Sequence, residues 1–149
     1  MSVKTISEGK NYTAINVGPA SSIDQYVLKL EGKEIPGKVF IQNELHLTGS
    51  EISYTSIPPG AQLPFFHSHK ENEEVYIVIK GSGEYQVDDN VFPIEEGSVV
   101  RVGTGASRCY KNTGTEPLVI ICIQTIENKE PLKTGHDAEF LQTEPKFTK

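Results

Sequence analysis

The chain has 149 residues, a length that suits a single domain (1–149) with a substantial hydrophobic core. Its 14 basic and 20 acidic residues give a net charge of −6, which argues against a nucleic-acid backbone or an anionic membrane surface as a partner. The sequence contains no run of about 18 apolar residues to cross a bilayer, and its first residues lack the apolar core of a signal peptide. We therefore expect a cytoplasmic protein that binds small molecules or other proteins.

Apolar residues recur mostly at every second position, in short segments bounded by Gly, Pro, Asn and Asp, a pattern typical of β-strands. In chain order the predicted strands are 24–30, 37–41, 50–57, 61–69, 74–81, 83–89, 98–103, 107–112 and 117–126. Residues 24–30 also fit helical spacing, although we favour a strand, and only 42–47 and 136–141 offer a further helical turn. The sequence thus predicts an all-β domain with its core at about residues 37–126 and a polar tail at 127–149.

The two cysteines, Cys109 and Cys122, are too few for a disulfide framework and too far apart for a zinc knuckle. We expect each to be a small, buried, free thiol. Their segments flank the turn-like 112–117, so a hairpin would place them nearly opposite each other, unless its register shifts by one residue.

The segment HSHKENEEVYIVIKG (67–81) contains the clearest chemical signal. Side chains alternate between the faces of an extended chain, so His67 and His69 face the same space. A polar bend then leads to Glu73 and Glu74, of which only one can join the histidines. Two imidazoles and one carboxylate suit Zn, Fe, Mn or Ni, and leave coordination positions open.

This pattern resembles the first motif of the cupin superfamily, which runs Gly, about five residues, HxH, three or four residues, Glu, six residues and Gly. Here Gly60 is followed by six residues, then His67 and His69, four residues, Glu74, six residues and Gly81. The resemblance selects Glu74 as the third metal ligand. Only the first gap departs from the pattern, by one residue.

The second cupin motif runs Gly, five residues, Pro, any residue, Gly, two residues, His, three residues and Asn. It aligns with Gly97, Gly103 in place of Pro, Gly105, Arg108 in place of His, and Asn112. The resemblance implies a single antiparallel β-barrel of the double-stranded β-helix or jelly-roll type. It also implies that the usual fourth metal ligand is absent.

Arg108 leaves two hypotheses open, because a guanidinium has no lone pair to offer a metal. At about 5 Å and an effective dielectric constant of about 20, it would repel a divalent ion by roughly 6 to 7 kcal/mol. In one hypothesis a metal binds His67, His69 and Glu74 while Arg108 grips a bound anion. In the other, Arg108 pairs with Glu74 and the cavity binds a sugar or an organic acid without metal.

Several further side chains are candidates for contacting the ligand or for simply filling the barrel. They are Gln62, Phe66, Tyr76, Tyr85 and Tyr110, and Tyr110 shares a face with Arg108. With a metal, the cavity would suit oxygen chemistry, isomerisation or a lyase step. The same cavity also suits a binding module without turnover, or a dimerising domain whose cavity has lost its function.

Two predicted strands, 74–81 and 117–126, contain stretches that are apolar on both faces. Alternation sends Tyr76 and Val78 into the barrel with Glu74, and the aliphatic side chains at 75, 77 and 79 outward. The outward patch predicts a homodimer, and the alternative is that residues 24–30 or the tail fold back over it.

Overall fold

The computed structural model describes residues 1–30 and 32–128, together with residues 138, 142, 146 and 147. Its elements are β1 (Lys4–Gly9), β2 (Tyr12–Asn16), a 3-10 helix (Ala20–Gln25), β3 (Val27–Leu30), β4 (Lys33–Pro36), β5 (Lys38–Phe40), α1 (Gln42–Leu45), β6 (Glu51–Ile57), β7 (Asn72–Lys80), β8 (Ser82–Val87), β9 (Asn90–Glu95), β10 (Val99–Val102), β11 (Arg108–Asn112) and β12 (Leu118–Ile126). The predicted all-β class is confirmed, and α1 forms at the predicted 42–47 turn. The other predicted turn, 136–141, and the tail fall almost wholly outside the described residues. No helix in the described part of the chain is long and apolar enough to cross a membrane.

Two antiparallel sheets build the barrel. The larger sheet has the strand order β10-β7-β12-β6-β5, and the smaller has the order β11-β8-β9. Side chains from both sheets pack into one buried cluster that includes Tyr76, Val78, Tyr85, Tyr110 and Ile120. The jelly-roll-like architecture implied by the two motifs is therefore the one observed.

Strand β7 shows the predicted alternation. Glu74, Tyr76 and Val78 are buried, whereas Val75 and Ile77 are partly exposed on the other face. The inward face therefore combines one carboxylate with apolar packing. β7 pairs with both β10 and β12, so hydrogen bonds from a strand on each side hold the backbone of Glu74 in place.

The outer face of β12 is covered in part by the N-terminal segment. Val119 is fully buried against Ile23 and Tyr26. The predicted strand 24–30 was wrong at its start, because residues 24 and 25 belong to the 3-10 helix and β3 begins at Val27. Helical spacing brings Ile23 and Tyr26 onto one side, and their burial against the sheet outweighs the local strand preference.

The segment 61–69 is not the continuous strand that its composition predicts. It runs beside β11 with isolated bridges at Gln62 and His67 only, to Lys111 and Arg108 respectively. Pro64 lies between the two bridges and has no N–H to donate, which interrupts a regular ladder.

Four strands were not predicted from the sequence: β1, β2, β4 and β9. The hairpin of β1 and β2 is mostly exposed and has no buried residue, so it carries no alternating apolar signal. β4 pairs only with β3, in a small two-stranded sheet whose residues are also mostly exposed. In β9, Pro93 argues against a strand, but β9 is an edge strand, where proline is tolerated.

Both cysteines are buried free thiols, as predicted. The alternative in which a hairpin sets them opposite each other was wrong, because β11 and β12 lie in different sheets. Cys109 is paired with Gln86 on β8, whereas Cys122 is paired with Tyr76 on β7 and Ser53 on β6.

Candidate metal centre and barrel cavity

Two histidines and one glutamate come together inside the barrel. Glu74 projects inward from β7, while His67 and His69 approach along the irregular segment that precedes this strand. The backbone N–H of Arg108 donates to the carbonyl of His67 at 3.0 Å, and that of Gly105 donates to His69 at 2.9 Å. These bonds fix the segment, and one ligand atom from each of the three side chains lies within 4.8 Å of the other two.

The two carboxylate oxygens of Glu74 face different partners. Oε2 accepts hydrogen bonds from the Tyr76 hydroxyl at 2.5 Å and from Arg108 Nε at 2.7 Å, and Arg108 Nη2 donates to it as well. Oε1 lies 3.1 Å from His69 Nε2 and 3.5 Å from the Cys122 sulfur. Burial acts to raise the pKa of Glu74, but the hydrogen bonds from Tyr76 and Arg108 outweigh it and lower the pKa. Glu74 is therefore a carboxylate with Oε1 turned toward the histidines.

Arg108 is fully buried behind Glu74. Its Nε and Nη2 donate to Glu74, and its Nη1 donates to the Ala106 carbonyl at 2.9 Å, with the His67 carbonyl a further 3.5 Å acceptor. All three guanidinium nitrogens thus donate to acceptors of the protein itself. It does not line the cavity, so the structure does not place Arg108 where it would contact a bound anion.

His67 carries a nitrogen with unmet bonding capacity. Its Nδ1 is buried and has no hydrogen-bond partner among the described residues. Burial lowers the pKa of His67 first, and the neighbouring charge of Arg108 lowers it further. A neutral imidazole with a free lone pair is the form that binds a metal.

The three side chains fit a divalent metal in chemistry and in approximate spacing. Ligand distances of about 2.0 to 2.2 Å imply separations of roughly 3 to 3.5 Å between neighbouring ligand atoms. His69 Nε2 and Glu74 Oε1 already have a separation of 3.1 Å. The remaining pairs lie within 4.8 Å, so the partly exposed imidazole rings would have to move closer to bind a metal. The charge on Glu74 is balanced by Arg108, which weakens the attraction for a cation without removing the donors.

The group borders a cavity of about 950 Å³. Of the side chains proposed from sequence to contact a ligand, Gln62, Tyr76 and Tyr110 line this cavity. Phe66 and the core residue Tyr85 do not line it, whereas Phe65, the neighbour of Phe66, does. The irregular backbone at 61–69 explains this change of face, because strict strand alternation does not hold there.

Lys38 on β5 lines the cavity, although the sequence did not predict it as a site residue. Its ammonium lies 3.5 Å from the Thr55 hydroxyl and 5.0 Å from the centre of the Phe40 ring. Burial lowers the pKa of Lys38, against the opposing effects of Cys122, Glu74 and Glu51. The available signal was the alternation in β5, in which Lys38 and Phe40 share the inner face and Val39 packs outside.

Comparison with known proteins identifies the fold family. Residues 53–124 match the family model described as a cupin domain. A crystal structure of a cupin protein from Bacteroides fragilis is 27% identical and covers 89% of this chain and 99% of its own, with a TM-score of 0.73. An oxalate-binding protein from Thermotoga maritima is 28% identical over 79 residues, 53% of this chain and 64% of that protein. A glucose-6-phosphate isomerase from Pyrococcus abyssi is 32% identical over 77 residues, 48% of this chain and 38% of the isomerase.

The chain spans less than two thirds of the length of these two curated relatives. The matched region extends from β6 to β12 and contains His67, His69, Glu74 and Arg108. The strands that precede β6, including β5 with Lys38, lie outside the matched region. The matched residues and the common fold place this chain in the cupin superfamily.

Proposed function

We propose that the protein binds a small organic anion in the barrel cavity, beside a divalent metal held by His67, His69 and Glu74. The observation that carries this proposal is the convergence of two imidazoles and a carboxylate within 4.8 Å at the wall of a cavity of about 950 Å³. Iron, manganese, zinc and nickel all accept this donor set. When bound, the metal would supply a Lewis-acidic contact for an oxygen of the anion.

The chain's own residues would orient the metal ligands and balance their charge. Tyr76 and Arg108 hold Oε2 of Glu74, which leaves Oε1 directed at the histidines. The names of two relatives, an oxalate-binding protein and a glucose-6-phosphate isomerase, support a small anion as the ligand class. A metal-dependent reaction on that anion would need the metal-loaded form.

A metal-free binding module is the second candidate, and the buried ion pair between Arg108 and Glu74 favours it. A guanidinium that already neutralises the carboxylate lowers the affinity for a cation. In that case the ion pair has a structural role, and the cavity binds its sugar or organic acid through the remaining polar groups.

Elemental analysis of protein purified without a His-tag or chelator separates the two candidates. The metal proposal expects close to one divalent ion per chain, or saturable uptake of added Zn²⁺ or Mn²⁺ by the metal-stripped protein. Uptake should be lost in His69→Ala and retained in His46→Ala, because His46 is an exposed histidine whose side chain contacts Glu8. A wild-type protein that takes up neither ion would leave the metal-free module as the function.

A further inference from the structure

One part of the cavity wall is apolar. The β3–β4 hairpin and β5 contribute Leu28, Leu30, Ile35, Pro36 and Phe40. All five precede residue 53, so they lie outside the segment that matches the family model. The family match therefore says nothing about this apolar part of the cavity wall.

Large apolar side chains at the cavity are left open to solvent. Leu30 is 53% exposed and Phe65 is 56% exposed, and both line the cavity. Exposed apolar groups that converge on a concave site are typical of a surface that an apolar ligand covers. A sugar phosphate or oxalate would gain nothing from them.

The same cavity contains a cation that the described residues do not neutralise. Lys38 forms no ion pair within the described part of the chain, and its polar contact there is the long one to Thr55. Glu74 is already balanced by Arg108. The interior therefore has one positive charge available for an anionic group.

The volume of the cavity also favours a ligand with a large apolar body. A volume of about 950 Å³ is at the upper end of the roughly 300–1,000 Å³ range of sites for drug-sized ligands. Oxalate, a dianion without an apolar body, would leave most of this space to water.

We propose that the ligand is an organic acid with a large apolar body, such as a medium-chain fatty acid or an aryl-substituted alkanoic acid. Its carboxylate lies between Lys38 and the His67–His69–Glu74 group, and its apolar body lies along the β3–β4 hairpin and Phe65. This inference rests on the proposed function in taking the cavity as the anion site, and it goes further by naming the ligand class and its selecting residues.

Isothermal titration calorimetry with decanoate, decanol, oxalate and glucose 6-phosphate tests the ligand class, on both metal-stripped and Zn²⁺-loaded protein. Decanoate should bind most tightly. Decanol should bind roughly ten- to a hundredfold more weakly, which is the range for loss of a hydrogen bond to a charged group. Tighter binding of oxalate or glucose 6-phosphate than of decanoate would overturn the inference.

Substitutions test the charge of Lys38 and the apolar wall separately. Lys38→Gln should weaken decanoate binding by roughly ten- to a hundredfold while Lys38→Arg largely retains it. The control is Lys29→Gln, since Lys29 is on the neighbouring β3–β4 hairpin but is exposed and pairs with Glu34. Equal affinity in Lys38→Gln and wild type would overturn the inference.

Leu30→Asn tests the apolar wall and remains informative if a Lys38 variant fails to fold. It should weaken decanoate binding by about three- to tenfold, whereas Ile6→Asn, at an exposed apolar position on β1, should leave it unchanged. No loss in Leu30→Asn would count against the apolar wall.

Metal content, measured independently, separates the two proposals. Lys38-dependent decanoate binding without any metal uptake would retain the ligand class and reject the metal. Metal uptake without decanoate binding would retain the metal and reject the ligand class.

Discussion

At the scale of single residues, Arg108 determines the chemistry of the site. It replaces a neutral imidazole of the family motif with a permanent positive charge, and the structure directs that charge at Oε2 of Glu74. The carboxylate is consequently ionised and held in one orientation. The same contact reduces the affinity that His67, His69 and Glu74 would otherwise have for a divalent ion.

Replacing Arg108 with His should raise the affinity for Zn²⁺ by at least about tenfold, because it removes a repelling charge and adds a fourth neutral donor. Without metal, the variant should lose about 3 to 5 kcal/mol of stability, since Glu74 would lose its buried partner. Competition titration against a chromogenic chelator measures the affinity, and thermal unfolding measures the stability. Arg101→His is the matched control, because Arg101 is exposed and pairs with Glu73 and Glu127. An unchanged affinity in the Arg108 variant would contradict this explanation of its role.

The two thiols should be unreactive in the folded protein. Burial is the main reason that the pKa of Cys122 is raised to about 12, with a further contribution from Glu74, and burial also raises the pKa of Cys109. A raised pKa means less thiolate at any given pH, and the thiolate is the reactive form. At pH 8, an aromatic disulfide reagent should therefore label both thiols rapidly in guanidinium chloride and only slowly under native conditions. Rapid labelling of either thiol in the folded protein would refute this.

At the scale of elements, β8 joins β11 to β9 and depends on one glycine. Gly83 lies opposite Asn112 on β11 and Ile94 on β9. A Cβ at this position would lie 2.2 Å from the Lys111 carbonyl oxygen and 3.0 Å from Leu118 Cδ2. The obstacle is backbone, which a side-chain rotation cannot relieve, so close approach of the strands requires glycine here.

Gly83→Ala should destabilise the protein by about 1 to 3 kcal/mol or more, the usual cost of overpacking a well-packed core. Thermal or denaturant unfolding measures the difference. Gly49→Ala is the control, because a Cβ there meets nothing within 4 Å and its backbone is not in the left-handed region. Equal stability of the two variants would show that β8 and β11 separate more easily than this packing implies.

At the scale of the whole molecule, the described residues cover only part of the outer face of the larger sheet. The 3-10 helix packs over Val119 and Ile79 at one end. Across β10, β7 and β12, Val99, Ile77 and Ile121 form a row on the same face, and Val99 is 63% exposed. The N-terminal segment, which the sequence offered as an alternative cover, therefore covers one end of this face.

We predict that a second copy of the chain covers the remaining row, since one two-fold contact buries the same apolar surface on both subunits. Light scattering at micromolar concentration should give twice the chain mass of 16.4 kDa. Ile77→Lys should convert the dimer to folded monomers, whereas Ile6→Lys, on the exposed β1–β2 hairpin, should not. A wild-type mass near 16.4 kDa would mean that the chain covers this face itself.

The sequence by itself determined those features that depend on local periodicity and motif spacing. The period of two on β7 predicted that Glu74, Tyr76 and Val78 face inward, and the spacing of His67, His69 and Glu74 predicted the convergence of their donor atoms. The first prediction succeeds because strand geometry repeats every two residues, whatever the rest of the fold does. The second rests on the spacing of the motif, since 61–69 is not a regular strand.

Only the tertiary structure decided how distant segments meet. Whether Arg108 faces the cavity or Glu74 depends on how β11 lies against β7, which belongs to the other sheet. Likewise, Ile23 has the same local pattern whether it continues a strand or turns into a 3-10 helix, and burial against Val119 selects the helix. Lys38 looks like an ordinary surface lysine until β5 pairs with β6 and turns its side chain into the barrel. The free energies that decide these arrangements come from contacts between residues far apart in the chain, which local patterns do not encode.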